Sequence, residues 1–240
     1  MSAREFLEIS KDIEGWLYEG AAFMTQHLLS AQKSLGTNSG VLEIGVYKGK
    51  YLSFLSSESQ SPTVGIDVFI FDQKEEAEKN VAYVCEILGK ENTSKLIRAN
   101  TRILDKKSLT SILSSAGIER LTFASIDGDH SSEGVYNDLE LVESVLAPGG
   151  IIAVDDMFSS VSPAVSEGFF NYINNSESKL KPIAFSDNKL FLTTHGYDEI
   201  YQIRLQVEMH KSDDILHDKW TDGNQSARVR PFMKGTLLCL

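Results

Sequence analysis

The stretch "LTFASIDGDHSSEGVYNDLELVESVLAPGGIIAVDD" (121–156) decides how this chain folds. Its first part, ending in Phe123, Ala124 and Ile126, is an apolar run suited to a buried strand. Residues 132–146 carry Val135, Leu139, Val142 and Val145 or Leu146 at three- and four-residue steps, the stripe of an amphipathic helix. "APGGI" (147–151) reads as a turn, and "GIIAVDD" (150–156) as a second strand. Strand, helix and strand in this order make a βαβ unit, which builds parallel sheets. Asp127, Asp129 and His130 follow the first strand, and Asp155 and Asp156 end the second. In α/β proteins ligands are held at the C-terminal ends of strands.

The same alternation extends outward. Strands are predicted at 41–45, 63–69 and 95–99, with helices at about 49–58, 73–89 and 105–115 between them. Residues 4–35 read as one or two helices, and "GTNSG" (36–40) breaks the chain. After a helix at 161–175, the runs 181–185 and 190–194 flank the polar turn "SDNK", which predicts an antiparallel hairpin. "DEIYQIRLQVEMHK" (198–211) suits helix or strand, and residues 227–240 end in a candidate strand. The expected fold is α/β: a Rossmann-like, mostly parallel sheet with helices on both faces and an antiparallel C-terminal hairpin. The expected organisation is a helical cap (1–38), a core (39–195) and an extension without a readable pattern (196–240).

With 240 residues, 42% of them apolar and 24% charged, the chain has the composition of a soluble globular protein. A net charge of −11 argues against nucleic acid or an anionic membrane as its partner. Cys85 and Cys239 have no metal-ligand or redox spacing, and no apolar run suits a signal or a spanning helix. A cytoplasmic protein is expected, with oligomeric state left open.

"LEIGVYKGKY" runs from the first strand into a turn with Glu43, Gly45 and Gly49 in the pattern E-x-G-x-x-x-G. Glycines at such a turn let the backbone approach a ligand closely. A dinucleotide site would read G-x-G-x-x-G, and Tyr47 interrupts it. Asp67 ends the second strand, where a carboxylate can accept bonds from ribose hydroxyls. This combination suits a nucleoside cofactor such as S-adenosylmethionine. The plainer alternative is a tight turn with Asp67 capping the next helix.

"VLEIGVYKGKYLSFL", "GIDVF" and "SIDGDHSSEGVYNDLELVESVLAPGGIIAVDD" together resemble class I S-adenosylmethionine-dependent methyltransferases. They are most similar to the divalent-metal-dependent O-methyltransferases: the catechol, caffeoyl-CoA and macrolide-sugar enzymes, with the cephalosporin hydroxylase-like group sharing the region. The resemblance covers about 39–195. It implies cofactor contacts at Glu43, Gly45, Tyr47, Gly49, Asp67 and Asp127, and places Asn100 near the adenine where relatives usually carry an acid.

Asp127, Asp155 and Asp156 lie at the ends of two strands that can be neighbours, about 5 Å apart. Such hard oxygen donors suit Mg²⁺, or Mn²⁺ or Ca²⁺, rather than zinc. The resemblance implies the same three as metal ligands, with Asp156 where several relatives have Asn. Asp129 is a rival to Asp127, or a helix cap. His130 stands where the family carries the base that deprotonates the acceptor hydroxyl, and an ordinary histidine is largely neutral at pH 7. The expected activity is Mg²⁺-assisted O-methylation of a small-molecule hydroxyl on a sugar, polyol or phenol, as in natural-product biosynthesis. The alternatives are a metal-using hydroxylase-like enzyme on the same fold and a catalytically silent cofactor-binding module.

Overall fold

The computed structural model of the protein describes residues 2–37, 39–222 and 228–240. Position 38, where the helical cap is expected to end, and residue 227, where the final expected segment begins, lie outside them. Two helices, α1 (Ala3–Ile9) and α2 (Glu19–Ser34), precede the first strand, β1 (Val41–Ile44). There follow α3 (Lys50–Ser59), β2 (Thr63–Asp67), α4 (Lys74–Ile87) and β3 (Ser94–Arg98). A short 3-10 turn (Thr101–Ile103) leads to α5 (Lys106–Ser115), β4 (Leu121–Ile126), α6 (Ser132–Glu143) and β5 (Leu146–Val154). The chain continues with α7 (Pro163–Asn175), β6 (Leu180–Ser186), β7 (Lys189–Thr194), α8 (Asp198–Lys211) and α9 (Ile215–Thr221). It ends in β8 (Arg228–Phe232) and β9 (Gly235–Cys239).

Among the described residues the strands form one sheet in the order β3-β2-β1-β4-β5-β7-β6-β9-β8. The first five are parallel, as the βαβ pattern predicts, and β6 and β7 form the antiparallel hairpin. Strand order reverses between β1 and β4, which creates a crevice at their carboxyl ends. The two faces follow the pleat. Leu42, Ile44, Ile152 and Val154 pack on one side with α5, α6 and α7. Val41, Ile151 and Ala153 pack on the other with α1, α2, α3 and α8. No described helix is long and apolar enough to cross a membrane.

One detail differs from the sequence reading, and two open points in it are settled. Residues 147–149 open β5 instead of forming a turn. The register shifts between Leu121 and Phe123, and Gly149 adopts φ +72° with its N–H donated to Thr194 Oγ1. Residues 198–211 settle as helix because Tyr201, Leu205 and Met209 share a four-residue spacing and are buried against the α2 side. The last segment is a β8–β9 hairpin, and β9 pairs in parallel with β6, extending the sheet.

Candidate active site

The crevice is built by the loops that leave β1, β2, β4 and β5. Gly45 has φ +84°, and a Cβ built there would stand 1.8 Å from the carbonyl oxygen of Asp127. Only glycine lets the two strand ends approach so closely. Gly49 has φ +80° and abuts the backbone of Ala77, so it brings α3 against α4. Both glycines therefore serve close backbone packing.

Asp67 holds this turn together. Its Oδ2 accepts the N–H groups of Val46 and Tyr47 at 2.8 Å each, and its Oδ1 accepts that of Phe69 at 2.6 Å. A carboxylate offers about four acceptor positions. One is left on Oδ1, which suits a single hydroxyl of a ribose. Beside it, Val68, Ile70 and Ile103 expose apolar surface at the ends of β2 and β3. Asn100 caps the 3-10 turn, its side chain accepting the N–H of Arg102 at 3.0 Å. An acid with one acceptor position left, beside exposed apolar side chains, fits a nucleoside.

Tyr47 sits at φ +51° and stacks on Trp16 with ring centroids 5.8 Å apart. Its hydroxyl donates to Glu14 at 2.5 Å, and Lys48 bridges Glu14 and Glu76. The segment before α2 is thus fastened over the glycine turn. A cavity of about 530 Å³ opens beside it, lined in part by Tyr47, Phe71, Asp72 and Glu76.

Glu43 is buried opposite Ser125 in the β1–β4 pair, and its Oε2 has no hydrogen-bond partner among the described residues. Burial first, and then the charge of Asp127, push its carboxyl well above the usual range. Asp127 is likewise raised by burial, against the opposing pull of its bond to His130. Asp155 is lowered. Burial pushes it up, but the ammonium of Lys189, 2.9 Å away, together with hydrogen bonds from Asp127 and the Asp156 backbone, more than compensates. Lys189 is itself buried, and its Nζ lies 4.5 Å above the Tyr51 ring. Although burial opposes its charge, the Asp155 carboxylate raises its pKa.

His130 joins the acids. Its Nε2 is 3.0 Å from Asp127 Oδ1, and its Nδ1 is 3.5 Å from Asp156 Oδ2 and 3.2 Å from Ser162 Oγ. The Ser162 hydroxyl donates to Asp156 at 2.9 Å, so its oxygen is left to accept from Nδ1–H. The bond between Nε2 and Asp127 raises the histidine's pKa above its ordinary value, against burial, which lowers it. The ordinary histidine of the sequence reading is thus shifted toward the imidazolium.

Asp127, Asp155 and Asp156 do reach the same end of the sheet, but each is already engaged. Asp156 also accepts from Asn188 Nδ2 at 3.2 Å. Among the described residues no group of three or more His, Cys, Asp or Glu side chains is arranged to hold a metal ion. The donor chemistry still fits a hard divalent cation, because the acids here crowd one another and two of them lie within 3.5 Å of the same His130 ring. Asp129 turns elsewhere. It accepts the N–H of Ser131 at 3.0 Å and pairs with Arg102 at 3.2 Å.

Lys189, Ser162 and Asn188 escaped the sequence reading. The antiparallel register Val154↔Leu190 places Lys189 beside Asp155, and a hairpin's register is set by its turn. The signal was the charged residue in "SDNKL", visible only once β7 was known to lie next to β5. Asp138, on α6, was also missed. It is buried beneath the Asp127 loop, where a Cβ on Gly128 would stand 3.1 Å from its Oδ2.

Comparison with known proteins bears on this site. Residues 42–157, just under half of the chain, match the methyltransferase domain family. No curated protein sequence matches the chain. Among solved structures, it is similar to CalS11, a TDP-rhamnose 3′-O-methyltransferase in calicheamicin biosynthesis. That match has 15% identity, covers 81% of this chain and 93% of CalS11, and has a TM-score of 0.53. An O-methyltransferase from Bacillus cereus in complex with SAH matches at 13% identity, 80% and 89% coverage and TM-score 0.56. MycE of mycinamycin biosynthesis, in complex with Mg and SAH, matches at 17% identity and TM-score 0.53. It shares 79% of this chain and 54% of its own. Residues 42–157 thus match a methyltransferase domain, and the chain has the fold seen in these solved O-methyltransferases.

Proposed function

We propose that the protein transfers a methyl group from S-adenosylmethionine to a hydroxyl of a small molecule, assisted by Mg²⁺. The observation that carries this reading is the joining of two half-sites by the Gly45–Asp127 contact: the Asp67 turn on one side and the acid–histidine cluster on the other. S-adenosylmethionine supplies an electrophilic methyl group, and a bound Mg²⁺ ion supplies Lewis acidity toward the acceptor oxygen. Asp67 accepts one ribose hydroxyl while keeping the turn shut. Val68, Ile70 and Ile103 cover the base, and Asn100 offers it an amide. Glu43, Gly45, Tyr47 and Gly49 shape the floor and rim of that pocket.

Asp127, Asp155 and Asp156 are the residues that would hold the ion. Lys189 stays on Asp155 Oδ1 and offsets one of the negative charges. With an ion held there, its positive charge would lower the pKa of His130 and favour the neutral ring. The neutral His130 then takes the hydroxyl proton, and Asp127 stabilises the imidazolium that re-forms. Alignment of the acceptor oxygen with the methyl carbon supplies much of the rate gain. MycE, seen with Mg and SAH, and CalS11, named for a sugar nucleotide, support this class of reaction.

The test is methyl transfer from labelled S-adenosylmethionine to a panel of sugars, diols and phenols, with Mg²⁺ and with EDTA. Transfer that stops in EDTA and falls by about 10²-fold or more in His130→Ala supports the reading. Transfer indifferent to both would remove the metal and the base from it.

A further inference from the structure

One short turn serves both acids that follow β5. The β6–β7 connection is Asp187 and Asn188, with Asp187 at φ +55°, and β7 begins at Lys189. Asn188 donates from Nδ2 to Asp156 Oδ1 at 3.2 Å, and its carbonyl accepts the N–H of Met157 at 3.0 Å. The next residue, Lys189, reaches Asp155 Oδ1 at 2.9 Å. Asp187 fastens the turn from its other side by accepting the N–H of Ala21, in the first turn of α2, at 2.9 Å.

The partners of the two acids differ in charge. Apart from the His130 ring, Asp156 is met by neutral groups, Asn188 Nδ2 and the Ser162 hydroxyl. Asp155 is met by an ammonium, and that ammonium is built in. The Lys189 side chain is 3% exposed, and its Nζ lies 4.5 Å from the centre of the Tyr51 ring. Tyr51 is held in turn. Thr25 Oγ1 donates to the Ala21 carbonyl at 2.8 Å, which leaves its oxygen to accept from the Tyr51 hydroxyl at 2.8 Å. Burying a lysine in this way is costly, and an apolar replacement of such a pair is often no less stable. Stability alone therefore does not account for Lys189.

Resting on the metal-assisted reading, we propose that Lys189 is a specificity-determining residue of the ion site. Its fixed positive charge, set against the carboxylates of Asp127, Asp155 and Asp156, leaves two net negative charges and matches the site to one divalent cation. Glu43, the buried acid of β1, is held toward its neutral form by burial and adds little to that charge. Lys189 also occupies Oδ1 of Asp155, so the other oxygen is the one left for an ion. Without Lys189 the same three acids would favour an ion of higher charge, since attraction grows with the product of the charges. An ion whose charge is matched and not exceeded by its surroundings keeps more of its Lewis acidity for an acceptor oxygen.

The experiment titrates full-length protein, in the presence of S-adenosylhomocysteine, with Mg²⁺ and separately with La³⁺. It compares the wild type with Lys189→Gln, which can still donate a hydrogen bond but carries no charge. The ratio of La³⁺ to Mg²⁺ affinity should rise about tenfold or more in Lys189→Gln. In Lys189→Gln with Asp156→Asn, which removes one negative charge again, the ratio should return most of the way to the wild-type value. Affinity for S-adenosylhomocysteine within about twofold of wild type shows that the variants are folded. A lysine with a merely structural role would weaken both ions alike, and an unchanged ratio overturns the proposal alone. Should Lys189→Gln lose its fold in ion-free buffer, melting temperatures at equal concentrations of the two ions give the same comparison, because ion binding stabilises the folded state. The advantage of La³⁺ over Mg²⁺ must then be wider than in the wild type, and an advantage no wider overturns the proposal. Failure of the wild type to bind either ion overturns the metal-assisted reading, and this proposal with it.

Discussion

The backbone of Gly45 is pressed against the carbonyl of Asp127, so closely that a Cβ would stand 1.8 Å from that oxygen. This contact couples the glycine turn to the acid cluster, and it separates two costs of substitution. Gly45→Ala incurs both the left-handed strain and the clash, and should lose about 3 kcal/mol, or roughly 6–12 °C in Tm. Gly36→Ala, at φ +72° with nothing among the described residues within 4 Å of its Cβ, should lose only about 1 kcal/mol. Thermal melts of the two variants check this difference.

Lys189 and Asp155 form a buried pair, with side chains 3% and 7% exposed. Lys189→Met leaves Asp155 without its cation and should destabilise the fold by about 3–5 kcal/mol. Lys189→Met with Asp155→Leu should recover most of that loss, since a buried pair replaced by apolar groups is often nearly neutral. Urea titrations of both variants measure the coupling. Equal stability of the single and the double variant would deny it.

Asp138 is raised to about 6, chiefly by burial. Between the unfolded value near 4 and that figure, the folded state binds the proton and the unfolded state does not. Stability from this group is therefore greatest at acid pH and falls as pH rises, by about 3 kcal/mol in all. Asp138→Asn cannot ionise. Its stability relative to the wild type should climb by that amount between pH 4 and pH 7, as read from urea unfolding at each pH. A difference that is flat with pH would contradict the assignment.

His130 should titrate above the ordinary histidine value of about 6.5 in metal-free protein, because its bond to Asp127 favours the charged ring. Asp127→Asn should bring it down. Resonances of the His130 ring followed through pH by NMR decide the matter. Addition of Mg²⁺ to the wild type should also lower the midpoint and release protons.

Much of this arrangement was legible in the sequence. Parallel strands buried on both faces read as continuous apolar runs, so β1, β2, β4 and β5 stood out. The acids Asp127, Asp155 and Asp156 stood out because they end such runs. What stayed hidden depends on long-range pairing. Lys189 reaches Asp155 only through the antiparallel β5–β7 register. Phe232 reaches Phe158 only because β9 joins β6 and carries β8 with it. The exposed residues of β8, among them Val229, Arg230 and Pro231, show no apolar alternation that would announce a strand. The contact of His130 with Ser162, 32 residues further along the chain, could not be read from the sequence.

The most direct measurement is a calorimetric titration of the protein with S-adenosylhomocysteine, followed by Mg²⁺, in the wild type and in Asp155→Ala. The account predicts saturable one-to-one nucleoside binding to both proteins and Mg²⁺ binding to the wild type alone. Absence of nucleoside binding to the wild type would contradict the methyltransferase reading at its root. Nucleoside binding without any Mg²⁺ binding would leave the cofactor site standing and contradict the metal role of Asp127, Asp155 and Asp156.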